Sequence, residues 1–137
     1  MVVIPVETGA MITGLARALK RANQTTEIVG VIPEGSYLYY DNDKLTDIGM
    51  YKMEGLGSQY QPPLLEKRLV EAWISVKDVE AFPLTSRLIS KEGLLVGSSG
   101  GAALQGALIA ARSLKKGTRC VLLFPDSARA YSSTLLK

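Results

Sequence analysis

One stretch, Val2 to Gly14, constrains the fold more than any other. The apolar run Val2-Val3-Ile4-Pro5-Val6 meets the turn Glu7-Thr8-Gly9-Ala10 and passes straight into a helical pattern. Val and Ile suit a pleated strand, and unbroken apolarity in place of alternation asks for cover on both faces, so this strand is expected inside a parallel sheet. From Met11 the apolar positions Met11, Ile12, Leu15, Ala18 and Leu19 recur at helical spacing, which predicts a helix over residues 10–22 that stops at Asn23-Gln24. A helix opening off a strand through a glycine turn aims free backbone N–H groups past the strand end, where α/β proteins bind anions. Two readings of the turn stand open at this point. In one, Gly9 lets a phosphate approach the backbone while Thr8 and Thr13 offer hydroxyls; in the other, the turn is an ordinary connection. Gly9 and Gly14 lack the Lys-Ser/Thr of a P-loop, and no third glycine completes a dinucleotide fingerprint. Glu7 would repel a phosphate unless it turned away.

Further along, residues 26–32 read as a second strand, parallel to the first through the intervening helix. Tyr37, Tyr39, Tyr40 and Tyr51 surround the polar run Asp41-Asn42-Asp43-Lys44; they either stack on a ligand or, as is commoner, pack a loop onto the surface. Gly55, Gly57, Pro62 and Pro63 then describe a fixed irregular loop of the kind that lines sites. A short helix is expected over 64–69, a strand over 70–76, and a helix from an Asp78 N-cap to Ser90, with regular turns starting near Phe82 because of Pro83 and a stop at Gly93. Leu94-Leu95-Val96 predicts a brief strand. It leads into the second glycine turn, Gly97-Ser98-Ser99-Gly100-Gly101, and a nearly all-apolar helix over 102–115, buried between layers. Residues 119–124 read as the last strand, ending at Pro125-Asp126-Ser127, where Asp126 or Ser127 caps a short helix or the Ser127 hydroxyl meets a ligand at the sheet's carboxyl edge.

Composition narrows the chemistry. The 137 residues predict one domain, residues 1–137, and a net charge of +3 spread among 13 acidic residues argues against nucleic acid as a partner. There is no histidine, which excludes Ser-His-Asp and Cys-His catalysis and His-ligated zinc within the chain. Cys120, the only cysteine, lies in an apolar run and reads as a small core residue. No run is long enough to span a bilayer and no signal-peptide pattern is present, so a cytoplasmic location and no membrane partner are expected.

Three segments resemble the cysteine synthase and cystathionine β-synthase family of pyridoxal-phosphate enzymes. They are Glu7-Thr8-Gly9-Ala10-Met11-Ile12-Thr13-Gly14, Glu92-Gly93-Leu94-Leu95-Val96-Gly97-Ser98-Ser99-Gly100 and Pro125-Asp126-Ser127-Ala128-Arg129-Ala130-Tyr131. Val29-Gly30-Val31-Ile32-Pro33-Glu34-Gly35-Ser36 and Glu54-Gly55-Leu56-Gly57 fall in the same order and at similar spacing, and the likeness is nearest to the cystathionine β-synthase branch.

The resemblance implies an α/β fold with a mainly parallel sheet and helices on both faces, part of the fold-type II (tryptophan synthase β-like) domain, with this chain as its C-terminal part. It implies pyridoxal 5′-phosphate as cofactor, with Thr8, Gly9 and Thr13 around the phosphate, Ser127 on the pyridine nitrogen, and Gly55 and Gly57 lining the substrate. The implied activity is β-replacement on a serine-like amino acid in sulfur amino-acid metabolism, and relatives are commonly dimers. The family's phosphate loop reads Gly-Thr-Gly-Gly-Thr, and Glu7, Ala10 and Met11 replace two of its glycines and one threonine, which weakens a phosphate site. Ser58 stands where cystathionine β-synthases usually carry tyrosine. No lysine here matches the one that forms the family's Schiff base, so no catalytic residue is assigned in this chain, which is expected to be inactive alone. Two alternatives accompany this reading: an inactive relative that docks on an active paralogue as an interaction or regulatory protein, and an unrelated α/β domain for a phosphorylated metabolite. No metal site is expected.

Overall fold

The sheet has four parallel strands in the order β3-β2-β1-β4, in a computed structural model that describes residues 1–23, 25–39 and 49–131. The strands are β1 (Val2–Pro5), β2 (Ile28–Pro33), β3 (Ala72–Val76) and β4 (Val121–Leu122). The helices are α1 (Ala10–Ala22), α2 (Asp78–Glu92) and α3 (Ser98–Ala110). Short 3₁₀ turns occupy Tyr37–Tyr39, Lys67–Leu69, Ala111–Ser113 and Ala128–Tyr131. Gln24, Tyr40 and the run Asp41-Asn42-Asp43-Lys44 lie outside the described residues.

The apolar run of β1 is buried on both sides, as its composition requires. Val3 joins Val29, Val31, Val76, Ala102 and Ala107 in a core beneath α2 and α3, whereas Ile4 and Val6 join Ile12, Ala16, Ile28, Ile32 and Leu65 in a second core beneath α1. Helices therefore cover both faces. Cys120 packs half-buried against the first core. From β1 the chain builds β2 and β3 to one side, then returns to lay β4 on the other side, with Val2 paired to both Ile28 and Val121. That reversal puts a topological switch point between the carboxyl ends of β1 and β4, the place where open parallel sheets bind ligands.

Several elements differ from their sequence expectation. Helix α2 is regular from Asp78, so the N-cap is Lys77, and Pro83 sits inside it. The Glu80 carboxylate accepts the Lys77 N–H at 2.8 Å, and Asp78 accepts the Lys52 N–H at 2.7 Å. Buried Ala81 and Thr85 anchor these first turns, while Pro83 faces outward. Leu94-Leu95-Val96 is not a strand. Gly93, at φ +68°, lets the Leu94 N–H turn back to the Leu88 carbonyl at 3.0 Å, and only Val96 pairs, through one antiparallel bridge to Ser127.

Helix α3 begins at Ser98, four residues before its expected start. Gly100 and Gly101 form its first turn because the backbone is packed too closely for a side chain. A Cβ on Gly101 would lie 2.2 Å from the Ala81 carbonyl oxygen, and one on Gly106 would lie 2.4 Å from Val31. Last, β4 is shorter than residues 119–124 and forms an edge of the described sheet.

Candidate functional site

A cleft of about 260 Å³ opens at the switch point. Pro5 and Val6 form its floor where β1 ends, Glu7, Thr8, Gly9, Met11 and Ile12 form one wall, Pro125, Asp126 and Tyr131 the other, and Gly55 closes it. The end of β1 is fixed from both sides, with the Val6 N–H on the Val31 carbonyl (2.9 Å) and the Gly57 N–H on the Val6 carbonyl (2.7 Å).

The first wall is a turn only glycine can make. Gly9 is the N-cap of α1 at φ +78° and ψ −10°, a left-handed conformation. A Cβ there would also lie 2.4 Å from the Cβ of Leu65. On its Cβ side Gly9 is in close contact with Leu65. No acidic residue lies in the first turn of α1 and no side chain caps it, although the Thr8 hydroxyl accepts the Ala10 N–H at 3.4 Å.

The opposite wall is a carboxylate held by two hydroxyls. Asp126 accepts hydrogen bonds from the Tyr131 phenol and from the Ser99 hydroxyl, the latter at 3.3 Å. The bond to Asp126, burial, and the nearby Asp126, Glu54 and Glu7 charges together push the Tyr131 phenol up to about 12. Burial and then the Glu7 charge also raise Tyr51. Glu7 is exposed, yet its field reaches tyrosines on both sides. No lysine or arginine lines this cleft among the described residues.

The cleft unites Thr8, Gly9 and Gly55, and leaves three of the expected residues elsewhere. Buried Thr13 lies on another side of α1, where its hydroxyl accepts the Glu66 N–H at 3.0 Å and borders a separate hollow with Arg17 and Pro63. There Arg17 and Arg68 pair with Glu66; burial pushes that carboxyl up, but the two guanidiniums outweigh it and hold it below its ordinary value. Gly57, at φ +81°, sits behind the floor, with no room for a Cβ against Pro33 and the Tyr51 hydroxyl. Ser127 is exposed, bridged to Val96, with its hydroxyl accepting the Arg129 N–H at 3.4 Å. Sequence reasoning missed the cleft roles of Asp126 and Tyr131. Both lie in the Pro125–Tyr131 segment, but their pairing becomes visible only once the 3₁₀ turn brings them together.

An open parallel sheet with a cleft at its switch point is the arrangement in which α/β proteins bind small molecules. A family model described as pyridoxal-phosphate dependent enzyme matches residues 1–126, so the chain belongs to that family. The cystathionine β-synthase of Dictyostelium discoideum is 46% identical over 131 residues, which are 96% of this chain and 26% of that protein. The rabbit (Oryctolagus cuniculus) cystathionine β-synthase is 42% identical over 137 residues, 99% of this chain and 25% of that protein. A Helicobacter pylori cysteine synthase is 37% identical over 126 residues, 92% of this chain and 40% of that protein. The crystal structure of the O-acetylserine dependent cystathionine β-synthase from Helicobacter pylori superposes with a TM-score of 0.87 at 36% identity, covering 97% of this chain and 42% of that one. The chain thus spans about a quarter of the cystathionine β-synthases it matches. This membership sets aside the unrelated phosphometabolite domain.

The family's cofactor carries a phosphate, and the residues present do not fit that end of it. The head of α1 offers N–H groups, but Glu7 brings a carboxylate onto the same wall, and Met11 lines that wall without a hydroxyl. Leu65 fills the space behind Gly9, so the turn cannot retreat.

Proposed function

We propose that residues 1–137 form the C-terminal part of a catalytic-fold unit of the cystathionine β-synthase and cysteine synthase type. The reaction class is β-replacement: a thiol or sulfide bonds to Cβ of a serine-like amino acid, O-acetylserine included, as the β-substituent leaves with the bonding electrons. One observation carries this reading. The switch-point cleft is assembled from the resembling segments within a backbone that matches the Helicobacter pylori enzyme at a TM-score of 0.87 over 97% of the chain.

In this reading Gly55 borders the amino-acid substrate, with Gly57 fixing the loop behind it through its bond to Val6. Thr8 and Gly9 face the cofactor, Thr13 supports α1 from behind, and the exposed Ser127 hydroxyl partners the pyridine nitrogen. The Schiff-base lysine comes from residues outside this segment. The protein acts in the cytoplasm as a homodimer. The test is product formation by the natural full-length protein given serine or O-acetylserine with sulfide or a thiol. Formation of the thioether or cysteine supports the proposal, and none at saturating substrate and cofactor contradicts it.

Glu7, Ala10 and Met11 at the first turn favour a second reading, a relative that keeps the scaffold and docks on an active paralogue without reacting. Its signature is co-purification with that paralogue and no turnover of its own.

A further inference from the structure

We infer that the phosphate end of the family's cofactor has no seat at the head of α1 in this protein, and that Glu7 is the residue that refuses it. The inference deepens the β-replacement reading and rests on it. A helix head favours an anion because its first N–H groups lack intrahelical acceptors. Here that attraction meets Glu7, two residues before the N-cap, on the same wall of the cleft. Asp126 lines the opposite wall, and the Glu7 charge reaches Tyr131 there, so Glu7 adds its charge to a cleft that already holds one carboxylate. No cation among the described residues lines the cleft to offset this. The Thr8 hydroxyl already holds the Ala10 N–H, which takes one donor out of play.

The backbone that carries Glu7 is held in place, so only rotation of its side chain could take the carboxylate off the helix head. Leu65 presses on Gly9 from behind, and the Gly57 N–H clamps Val6 just before Glu7. A single like charge a few ångströms from a phosphate, at the dielectric of a half-open cleft, costs on the order of a hundredfold in affinity.

The test compares pyridoxal phosphate with unphosphorylated pyridoxal by equilibrium dialysis against the natural full-length protein. The wild type is expected to bind the phosphorylated aldehyde no tighter than the other. Glu7→Gln, which removes the charge and keeps the shape, should move the ratio towards the phosphate by about a hundredfold, and adding Ala10→Gly and Met11→Thr should move it further. A wild-type preference for the phosphate of a hundredfold or more, or an unchanged ratio in Glu7→Gln, overturns the inference and leaves the β-replacement reading standing. Uptake of neither aldehyde by wild type or by Glu7→Gln overturns both.

Discussion

Helices α1 and α3 are both entered through glycine, yet the two entrances are built for different ends. Gly9 adopts a left-handed conformation at the edge of an open cleft, next to exposed Glu7 and Thr8. Gly97 has an extended backbone, and Ser98 to Ala103 behind it are all buried under α2 and the sheet. In the first case the glycine serves a turn; in the second, Gly100, Gly101 and Gly106 serve contact between elements. Glycine followed by a helix therefore marks a ligand-facing edge only when no other element is packed against the helix head.

The largest effect is expected from Gly101→Val. Its Cβ would fall 2.2 Å from both the Ala81 carbonyl oxygen and the Thr85 hydroxyl, so α3 must lift from α2. Overpacking of this kind costs about 3 kcal/mol, read as a fall in denaturant midpoint. Gly9→Ala should cost about 2 kcal/mol, from the left-handed conformation and the Leu65 overlap together. Its signature differs, because it should disturb ligand uptake as well as stability.

Tyr131→Phe should cost about 1 kcal/mol, the worth of one hydrogen bond, and free one oxygen of Asp126. In the wild type the Tyr131 phenol, pushed up to about 12, should titrate well above pH 10 when followed by ultraviolet absorbance. Because the folded value is the higher one, the stability this proton contributes is whole below about pH 10 and is lost as pH climbs to about 12. Gly14→Ala is the smallest and opposite change. Gly14 lies within α1, exposed, and an added Cβ would meet nothing within 4 Å, so alanine should add about 0.5–1 kcal/mol of stability.

The sequence made the first helix legible to its bounds, because the pattern from Met11 is local and Asn23 stops it. The inner position of β1 and the parallel order were equally legible, since an unbroken Val and Ile run has few other places to go. Contacts made at a distance were not. Gly100 and Gly101 read as a turn because the residues that crowd them, Val96 and Phe124 at the first and Ala81 and Thr85 at the second, are brought there by the fold. Leu94 and Leu95 read as strand, but both are exposed, and the capping bond to Leu88 bends the chain away. At the site, the resemblance marked Thr8, Gly9 and Gly55 in the cleft, whereas Thr13 and Ser127 point their hydroxyls to Glu66 and Arg129.

The most direct test of the contrast between the two entrances uses the natural full-length protein with ¹⁵N-labelled glycine, titrated with unphosphorylated pyridoxal and followed by amide shifts. The Gly9 and Gly55 signals are expected to move while those of Gly100, Gly101 and Gly106 stay in place. Movement of the α3 glycines with Gly9 and Gly55 unmoved would contradict that contrast.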